Sequence, residues 1–199
     1  MSAPPLPASG ASRPALRLAG EVALVRARVH ELTGRARRTL ALMLAAEAAG
    51  PILWIRPGWE GERLFAPGAA RFLAPGRLVF VEAGRAPDLL WSTEEALRSG
   101  AAPVVVAEVP TPPALTPIRR LHLAAEASGT APIGFLLTPG EGGAQGIESR
   151  WSLAPVPGGR WQLSRLRARM APPKSWTLAW TRGRATLDPP LVREVAGAA

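Results

Sequence analysis

Residues 28–55 decide the fold, with "RVHELTG" at 28–34, "RRTLALMLAAEAAG" at 37–50 and "PILWI" at 51–55. The first stretch is a short strand candidate that ends at Gly34. The second predicts a helix rich in Ala and Leu that ends near Gly50, and the third predicts a buried apolar strand. A strand, a helix and a second strand in this order predict a crossover unit of a parallel sheet.

The same alternation continues to residue 139. Further buried apolar strands are predicted in "RLVFVE" (77–82), "PVVVAEV" (103–109) and "PIGFLLTP" (132–139), and helices at 88–100 and 116–129. Continuous apolar runs of this kind are typical of parallel strands that are covered on both faces. The repeated pattern predicts a doubly wound α/β domain.

After about residue 149 the pattern changes to alternating apolar and polar residues. "RWSLAPV" (150–156), "RWQLSRLRAR" (160–169) and "SWTLAW" (175–180) are joined by turns such as "PGG". This alternation predicts antiparallel strands at one edge of the sheet. The predicted fold is therefore α/β, with a mostly parallel central sheet, helices on both faces and antiparallel C-terminal edge strands.

The ends of the chain are rich in Pro and Ala and lack an apolar period. A flexible arm is predicted at 1–15, a core domain at 16–182 and a flexible tail at 183–199, because such ends cannot offset the entropy of ordering. Pro and Gly interrupt the first twenty residues, and no stretch reaches the roughly 18 apolar residues of a membrane span. We expect a cytoplasmic protein with no membrane contact.

The composition excludes several kinds of site. The 199 residues include no cysteine and two histidines, which removes disulfides, thiol nucleophiles, Cys-ligated metals and a His-rich metal cage. The net charge is +9, and residues 151–199 carry eight Lys/Arg against two Asp/Glu, or +6. A basic surface suggests phosphate partners. Arginine use with abundant Ala, Pro and Gly also follows from GC-rich coding, so both interpretations stay open.

The turn after the first strand of a doubly wound sheet is where a Gly-rich loop holds phosphate. Here that turn is "TGRARRTLA" (33–41), which has Gly34 but no second glycine and too few residues for G-x-x-x-x-G-K-[ST]. Arg38-Thr39 stands where such a loop has Lys-Thr, and Glu108 ends the third buried strand as a magnesium-side carboxylate would. We interpret Gly34, Arg38, Thr39 and Glu108 as a degenerate nucleotide site, and we expect neither enzymatic activity nor a cofactor.

The segments taken together resemble the RecA core, and more closely the ImuA family of RecA-like proteins. The resemblance covers roughly residues 28–182 and rests on the turn at Gly34 after "RVHELT" and on four blocks. These are "DLLWSTEEALRSGAAPVVVAEV" (88–109), "LTPIRRLHLAAEASG" (115–129), "ESRWSLAP" (148–155) and "WQLSRLRARMAPPKSWTLAW" (161–180).

The resemblance implies a role in SOS-type, damage-induced translesion DNA synthesis. Its implied partners are RecA, a catalytically inactive Y-family polymerase homologue and an alternative replicative-type polymerase. RecA binds DNA through two loops whose counterparts here are 110–117 and 138–150, and Arg150 is the only basic residue in either. The shortage of basic residues in these loops therefore argues against RecA-style DNA binding.

Three functions remain open on the sequence. The leading one is a non-catalytic adaptor that binds proteins, with Trp beside Arg as interface residues. The second is weak single-stranded DNA binding by Arg165, Arg167, Arg169 and Lys174, because the period-two spacing from 165 to 169 predicts three arginines on one strand face. The third is a residual ATPase that uses Thr39 and Glu108. The partner or nucleic-acid candidates are Arg119, Arg120, Arg150, Arg165, Arg167, Arg169, Lys174, Trp161 and Trp176.

Overall fold

The computed structural model describes residues 14–189, which form eleven strands and four α-helices. The strands are β1 (Ala15–Ala19), β2 (Val22–Val25), β3 (Val29–Thr33), β4 (Ile52–Pro57), β5 (Leu78–Ala83), β6 (Val104–Glu108), β7 (Ile133–Leu137), β8 (Ser149–Val156), β9 (Arg160–Ala168), β10 (Lys174–Thr181) and β11 (Arg184–Asp188). The helices are α1 (Arg37–Ala46), α2 (Ala66–Ala69), α3 (Ala86–Ser99) and α4 (Leu115–Ala127), and a short 3-10 helix spans Pro75–Arg77. None of the described helices combines the length and apolar character needed to cross a membrane.

Nine of the strands form one sheet, in the order β11-β10-β9-β8-β3-β7-β6-β4-β5. The six strands from β8 to β5 in this order are parallel, and β9, β10 and β11 continue the sheet beyond β8 with antiparallel pairing. The prediction of a mixed α/β fold with a mostly parallel sheet and antiparallel edge strands is therefore confirmed. The carboxyl ends of β3, β6 and β7 lie side by side at one end of the sheet.

Two apolar cores cover the two faces of this sheet. The first packs α1 and the separate β1–β2 hairpin against side chains such as Trp54 and Trp151. The second packs α3 and α4 against the other face, around Leu97, Ile118 and Leu136. Each face is covered because the parallel strands are apolar on both sides, as their continuous apolar sequences predicted.

The strand β5 departs from the sequence prediction, which made "RLVFVE" a buried strand. It is the last strand of the sheet, paired with β4 on one side and with no described strand on the other. Val79 and Phe80 are accordingly 47% and 46% exposed. An apolar run does not distinguish an inner strand from an edge strand, since only the tertiary structure decides which neighbour is present.

The strand β11 corrects the predicted C-terminal boundary. It lies inside the range 183–199 that the sequence assigned to a tail, and it pairs with β10 through a two-residue turn at Arg182 and Gly183. Both turn residues have positive φ, 53° and 77°, which suits the twist of a tight hairpin. At the other end, Ala15 already begins β1. The rest of the predicted arm and tail, 1–13 and 190–199, lies outside the described residues.

A buried polar chain ties the hairpin to the sheet. The indole N–H of Trp151 donates to the Ser149 hydroxyl (2.6 Å), Ser149 donates to Nδ1 of His30 (2.7 Å), and Nε2–H of His30 donates to the carbonyl of Val25 (2.9 Å). This direction requires a neutral imidazole, because Nδ1 must accept. Burial lowers the pKa of His30 from 6.5 to about 4.

The His30 pKa predicts that the protein loses stability on mild acidification. The folded pKa lies below the unfolded value, so the unfolded chain binds more protons between about pH 6.5 and 4, and stability falls as the pH falls through that window. From pH 7 to pH 5 the expected loss is about 2 kcal/mol. Urea unfolding at both pH values measures it. His30→Gln should remove most of this pH dependence, and an equal loss in that variant would contradict the assignment.

Candidate functional site

The turn after β3 is shaped by its contact with β8. Gly34 has φ of 84°, and a Cβ at this position would lie 2.6 Å from both the Leu153 carbonyl oxygen and the Ser152 hydroxyl. Glycine is therefore required here for positive φ and for the close approach of the neighbouring strand. Neither requirement involves a phosphate.

The backbone N–H groups of this turn already have acceptors within the protein. Gly34 donates to the carbonyl of Gly140 (3.4 Å), Ala36 to that of Leu153 (3.0 Å), and Arg37 to that of Gly34 (3.3 Å). A phosphate loop instead points such N–H groups at the ligand. The first two bonds hold the turn against the segment after β7 and against β8, and the third closes the turn itself.

Arg38 and Glu108, which the sequence analysis assigned to a degenerate nucleotide site, meet at the carboxyl end of the sheet. Arg38 donates through Nη2 to Oε2 of Glu108 (2.6 Å) and through Nε to Oε1 (3.1 Å), and it reaches Glu62 through Nη1 (3.1 Å). The fully buried indole of Trp54 donates to the same Oε1 (2.7 Å). Both oxygens of the carboxylate that could face magnesium are therefore occupied by side chains.

The ion pair also fixes the protonation state of Arg38. Burial acts to lower the pKa of its guanidinium, but the hydrogen bonds and negative charges of Glu108 and Glu62 outweigh burial and raise the pKa above its ordinary value. Arg38 stays charged, and its side chain is 23% exposed against 10% for Glu108. A mostly buried bidentate pair of this kind holds its geometry more firmly than a surface pair.

Thr39 and Glu108 line different cavities. A cavity of about 170 Å³ beside Glu108 is lined by Arg37 and Glu60 among others, whereas Thr39 lines a different groove with Leu42 and Phe72. The structure thus brings Arg38 and Glu108 together but does not place the Thr39 hydroxyl in the cavity next to Glu108. Among the described residues, no group of three or more His, Asp or Glu side chains is placed to hold a metal ion.

Glu31 is a central residue that the sequence analysis missed. It is fully buried in β3 and accepts hydrogen bonds from Thr138 (2.7 Å), from the backbone N–H groups of Gly143 (2.8 Å) and Ala144 (3.1 Å), and from Nε of Arg150 (2.5 Å). The sequence did show a carboxylate inside a predicted strand, and a buried carboxylate needs hydrogen-bond donors or a positive charge beside it. Glu31 thus fixes the segment between β7 and β8.

Arg150 is accordingly a structural residue rather than a free contact. Its side chain is 19% exposed, and besides Glu31 it donates to the carbonyl of Ala144 (3.1 Å). The segment between β7 and β8 is held from inside by this pair. Arg150 is therefore bonded within the protein, although the sequence analysis named it as a candidate for contact with a partner or a nucleic acid.

The predicted row of three arginines on one face of β9 is wrong. Trp151 lies opposite Arg165 and Arg150 lies opposite Arg167, so Leu166 is an extra residue in a β-bulge. Because Arg150 and Trp151 are consecutive, Arg165 and Arg167 lie on opposite faces of the sheet. A bulge breaks the period of two on which the prediction depended.

Arg165 is 7% exposed and belongs to the core beneath the hairpin. Its guanidinium lies 5.3 Å from the ring of Trp176 and 5.7 Å from that of Trp151, and its Nε donates to the carbonyl of Pro172 (2.9 Å). Trp176 stacks on Trp151 at 6.1 Å and is 6% exposed. Lys174 lies over Trp176 and forms an ion pair with Glu21 of the hairpin turn. These residues hold the hairpin to the sheet.

The remaining candidates lie on two surfaces. Arg119 is exposed and lines a cavity of about 260 Å³ together with Arg169 and the exposed Leu123. Nε of Arg169 lies 3.8 Å from Oε2 of Glu148. Arg120, on the same helix, forms an ion pair with Glu94 (2.7 Å). Trp161 is half-buried on the opposite side of the sheet and packs edge-on against Phe72 at 6.4 Å.

Comparisons with known proteins give a structural likeness alone. The crystal structure of SulA from Pseudomonas aeruginosa is similar to this chain with a TM-score of 0.46 and 21% sequence identity, over 56% of this chain and 98% of SulA. No protein-family profile matches the sequence. No curated protein matches it either.

Proposed function

We propose that this protein is a non-catalytic, RecA-like adaptor of damage-induced translesion DNA synthesis. The resemblance of residues 28–182 to the ImuA family motivates the proposal. Its proposed partners are RecA, a catalytically inactive Y-family polymerase homologue and an alternative replicative-type polymerase. Its place of action would be the cytoplasm.

The observation that carries the non-catalytic part is the arrangement of Trp54, Arg38 and Glu108. A nucleotide-binding site needs free backbone N–H groups for phosphate and a carboxylate that faces magnesium. Here three N–H groups of the turn are bonded to carbonyls, and both carboxylate oxygens accept from Arg38 or Trp54. Binding of ATP would require this buried pair to open, which supports an adaptor over a residual ATPase.

The alternative of single-stranded DNA binding loses support from the geometry of β9. Of the four basic residues proposed for it, Arg165 is buried, Lys174 is paired with Glu21, and Arg167 is on the face opposite Arg165. A single-strand site needs several free cations along one groove beside exposed rings. We expect any DNA affinity to be weak and lost near physiological salt.

The proposal is tested with purified full-length protein and three kinds of ligand. We expect binding to RecA or to one of the polymerase-type proteins, no saturable binding of a fluorescent ATP analogue with magnesium, and no retention of labelled single-stranded DNA at about 150 mM salt. Magnesium-dependent phosphate release that Thr39→Ala abolishes would establish an ATPase instead. Tight DNA binding at that salt would overturn the adaptor proposal. Absence of binding to RecA and to both polymerase-type proteins would overturn it as well.

A further inference from the structure

A groove runs between α1, α2 and the start of β9, on the face of the sheet that carries α1. Its volume is about 250 Å³, and its lining is mostly apolar, with Leu42, Leu64, Phe65, Phe72 and Trp161. We call it the α1–α2 groove. This volume suits the insertion of one large side chain.

The floor of the α1–α2 groove contains the aromatic side chains of Phe72 and Trp161, and Trp180 packs against Phe72 from outside the groove. The ring of Phe72 lies 6.4 Å from that of Trp161 and 5.4 Å from that of Trp180, and all three are partly buried. The indole N–H of Trp180 donates to the carbonyl of Arg71 (3.1 Å), which fixes the end of α2 to the sheet. Phe65 stands at the rim and is 71% exposed. A rigid aromatic floor with an exposed aromatic rim is the arrangement of interface hot spots.

The charges at the groove indicate the chemistry of the occupant. Arg71 is exposed and forms no ion pair with any carboxylate of residues 14–189, whereas Arg38 at the other end is already bound by Glu108 and Glu62. One free cation beside an apolar groove suits one carboxylate beside an apolar side chain. A nucleic acid would need a row of free cations, and Glu62, 80% exposed at that end, would repel it.

We infer that the α1–α2 groove binds a short segment of a partner protein in which a Leu, Phe or Trp side chain lies next to an Asp or Glu. The apolar side chain enters between Phe65 and Phe72, and the carboxylate pairs with Arg71. The inference rests on the proposed adaptor role and names the docking site and the kind of segment that it takes. It also gives a function to helix α1 that no longer depends on a nucleotide.

Fluorescein-labelled peptide pools test the inference on the full-length protein. One pool carries Leu, Phe or Trp flanked by Asp or Glu, a second replaces the acidic residues with Lys, and a third replaces the apolar residue with Ala. By fluorescence polarisation we expect the acidic–apolar pool to bind best. Phe65→Ala and Arg71→Glu should each weaken it by about tenfold, and Arg71→Glu should now prefer the Lys pool. Phe80→Ala and Arg17→Glu, at exposed positions outside the groove, serve as matched controls.

The reversal of charge preference protects the test from trivial loss of folding, because a misfolded variant would not gain affinity for the Lys pool. Binding that is absent in every pool, equal for acidic and Lys pools, or unchanged by both groove variants would overturn the inference. RecA and the polymerase-type proteins are measured alongside. If they bind wild type and Arg71→Glu equally, the groove assignment fails while the adaptor stands. If the peptides bind and none of these proteins does, the adaptor proposal is rejected, and the assignment of the groove as a peptide-binding site is retained.

Discussion

Replacing Glu31 by alanine is expected to lower the free energy of unfolding by about 4 kcal/mol, because it leaves a partly buried arginine without its carboxylate. The same change removes the acceptor of Thr138 and of two backbone N–H groups. Urea unfolding at pH 7 measures the loss. The exposed Glu141, in the same segment, is the matched control, and Glu141→Ala should change the stability by less than about 0.5 kcal/mol.

A double-mutant cycle separates the ion pair from the backbone contacts of Glu31. In the variant that combines Glu31→Ala with Arg150→Met, no unpaired guanidinium remains, so the double variant should be more stable than the sum of the single changes predicts, by at least about 1 kcal/mol. Additive losses would mean that Arg150 is solvated and that the pair contributes little. A loss below about 1 kcal/mol for Glu31→Ala alone would contradict the buried network itself.

Replacing Glu108 by alanine is expected to cost about 3 kcal/mol, because the buried indole N–H of Trp54 loses its only described acceptor and Arg38 loses its principal partner. Glu108→Gln should lose less, since the amide oxygen can still accept from Trp54. Glu60 lines the same cavity and is exposed, so Glu60→Ala is the control and should leave the stability nearly unchanged.

The Glu108 variants also distinguish a structural carboxylate from a catalytic one. A structural role predicts that stability falls while partner binding, measured well below the unfolding temperature, is retained. A catalytic role predicts the reverse, with wild-type stability and a specific loss of phosphate release. The two roles therefore predict opposite results for Glu108→Ala. The free energy of unfolding and the rate of phosphate release are measured on the same protein preparation.

The parallel part of the sheet could be predicted because its inner strands are buried on both faces, and such strands have continuous apolar sequences. Residues 15–25 and 184–188 were not predicted as strands. They lie next to the Pro- and Ala-rich ends of the chain, and the neighbours that order them are supplied only by the tertiary structure. The turn before β11 was hidden for a further reason. Arg182 takes positive φ there, a conformation for which arginine gives no sequence signal.

The candidate site was predictable only where it depended on residue type at a known place. The absence of a complete phosphate loop was visible at Gly34 to Thr39. Arg38 and Glu108 were assigned to one site from their residue types and positions, but the ion pair between them was not predicted.

The bulge at Leu166 was not recognised, because the even spacing of Arg165, Arg167 and Arg169 continues a period of two across the extra residue. The partners of Glu31 lie 107 to 119 positions away in the chain, beyond the reach of any local signal.

One side of β5 has no strand beside it in the part of the chain that the structure describes, and this edge affects how the protein behaves in concentrated solution. Its six residues contain no proline, and Glu82 is their only charged side chain, held by Arg56 and Arg63. An unprotected apolar edge is a template for cross-β association, and a single charge is the usual gatekeeper against it. The two arginines partly neutralise that gatekeeper. Colloidal stability at this edge therefore depends on the same ion pairs that order the loop after β4.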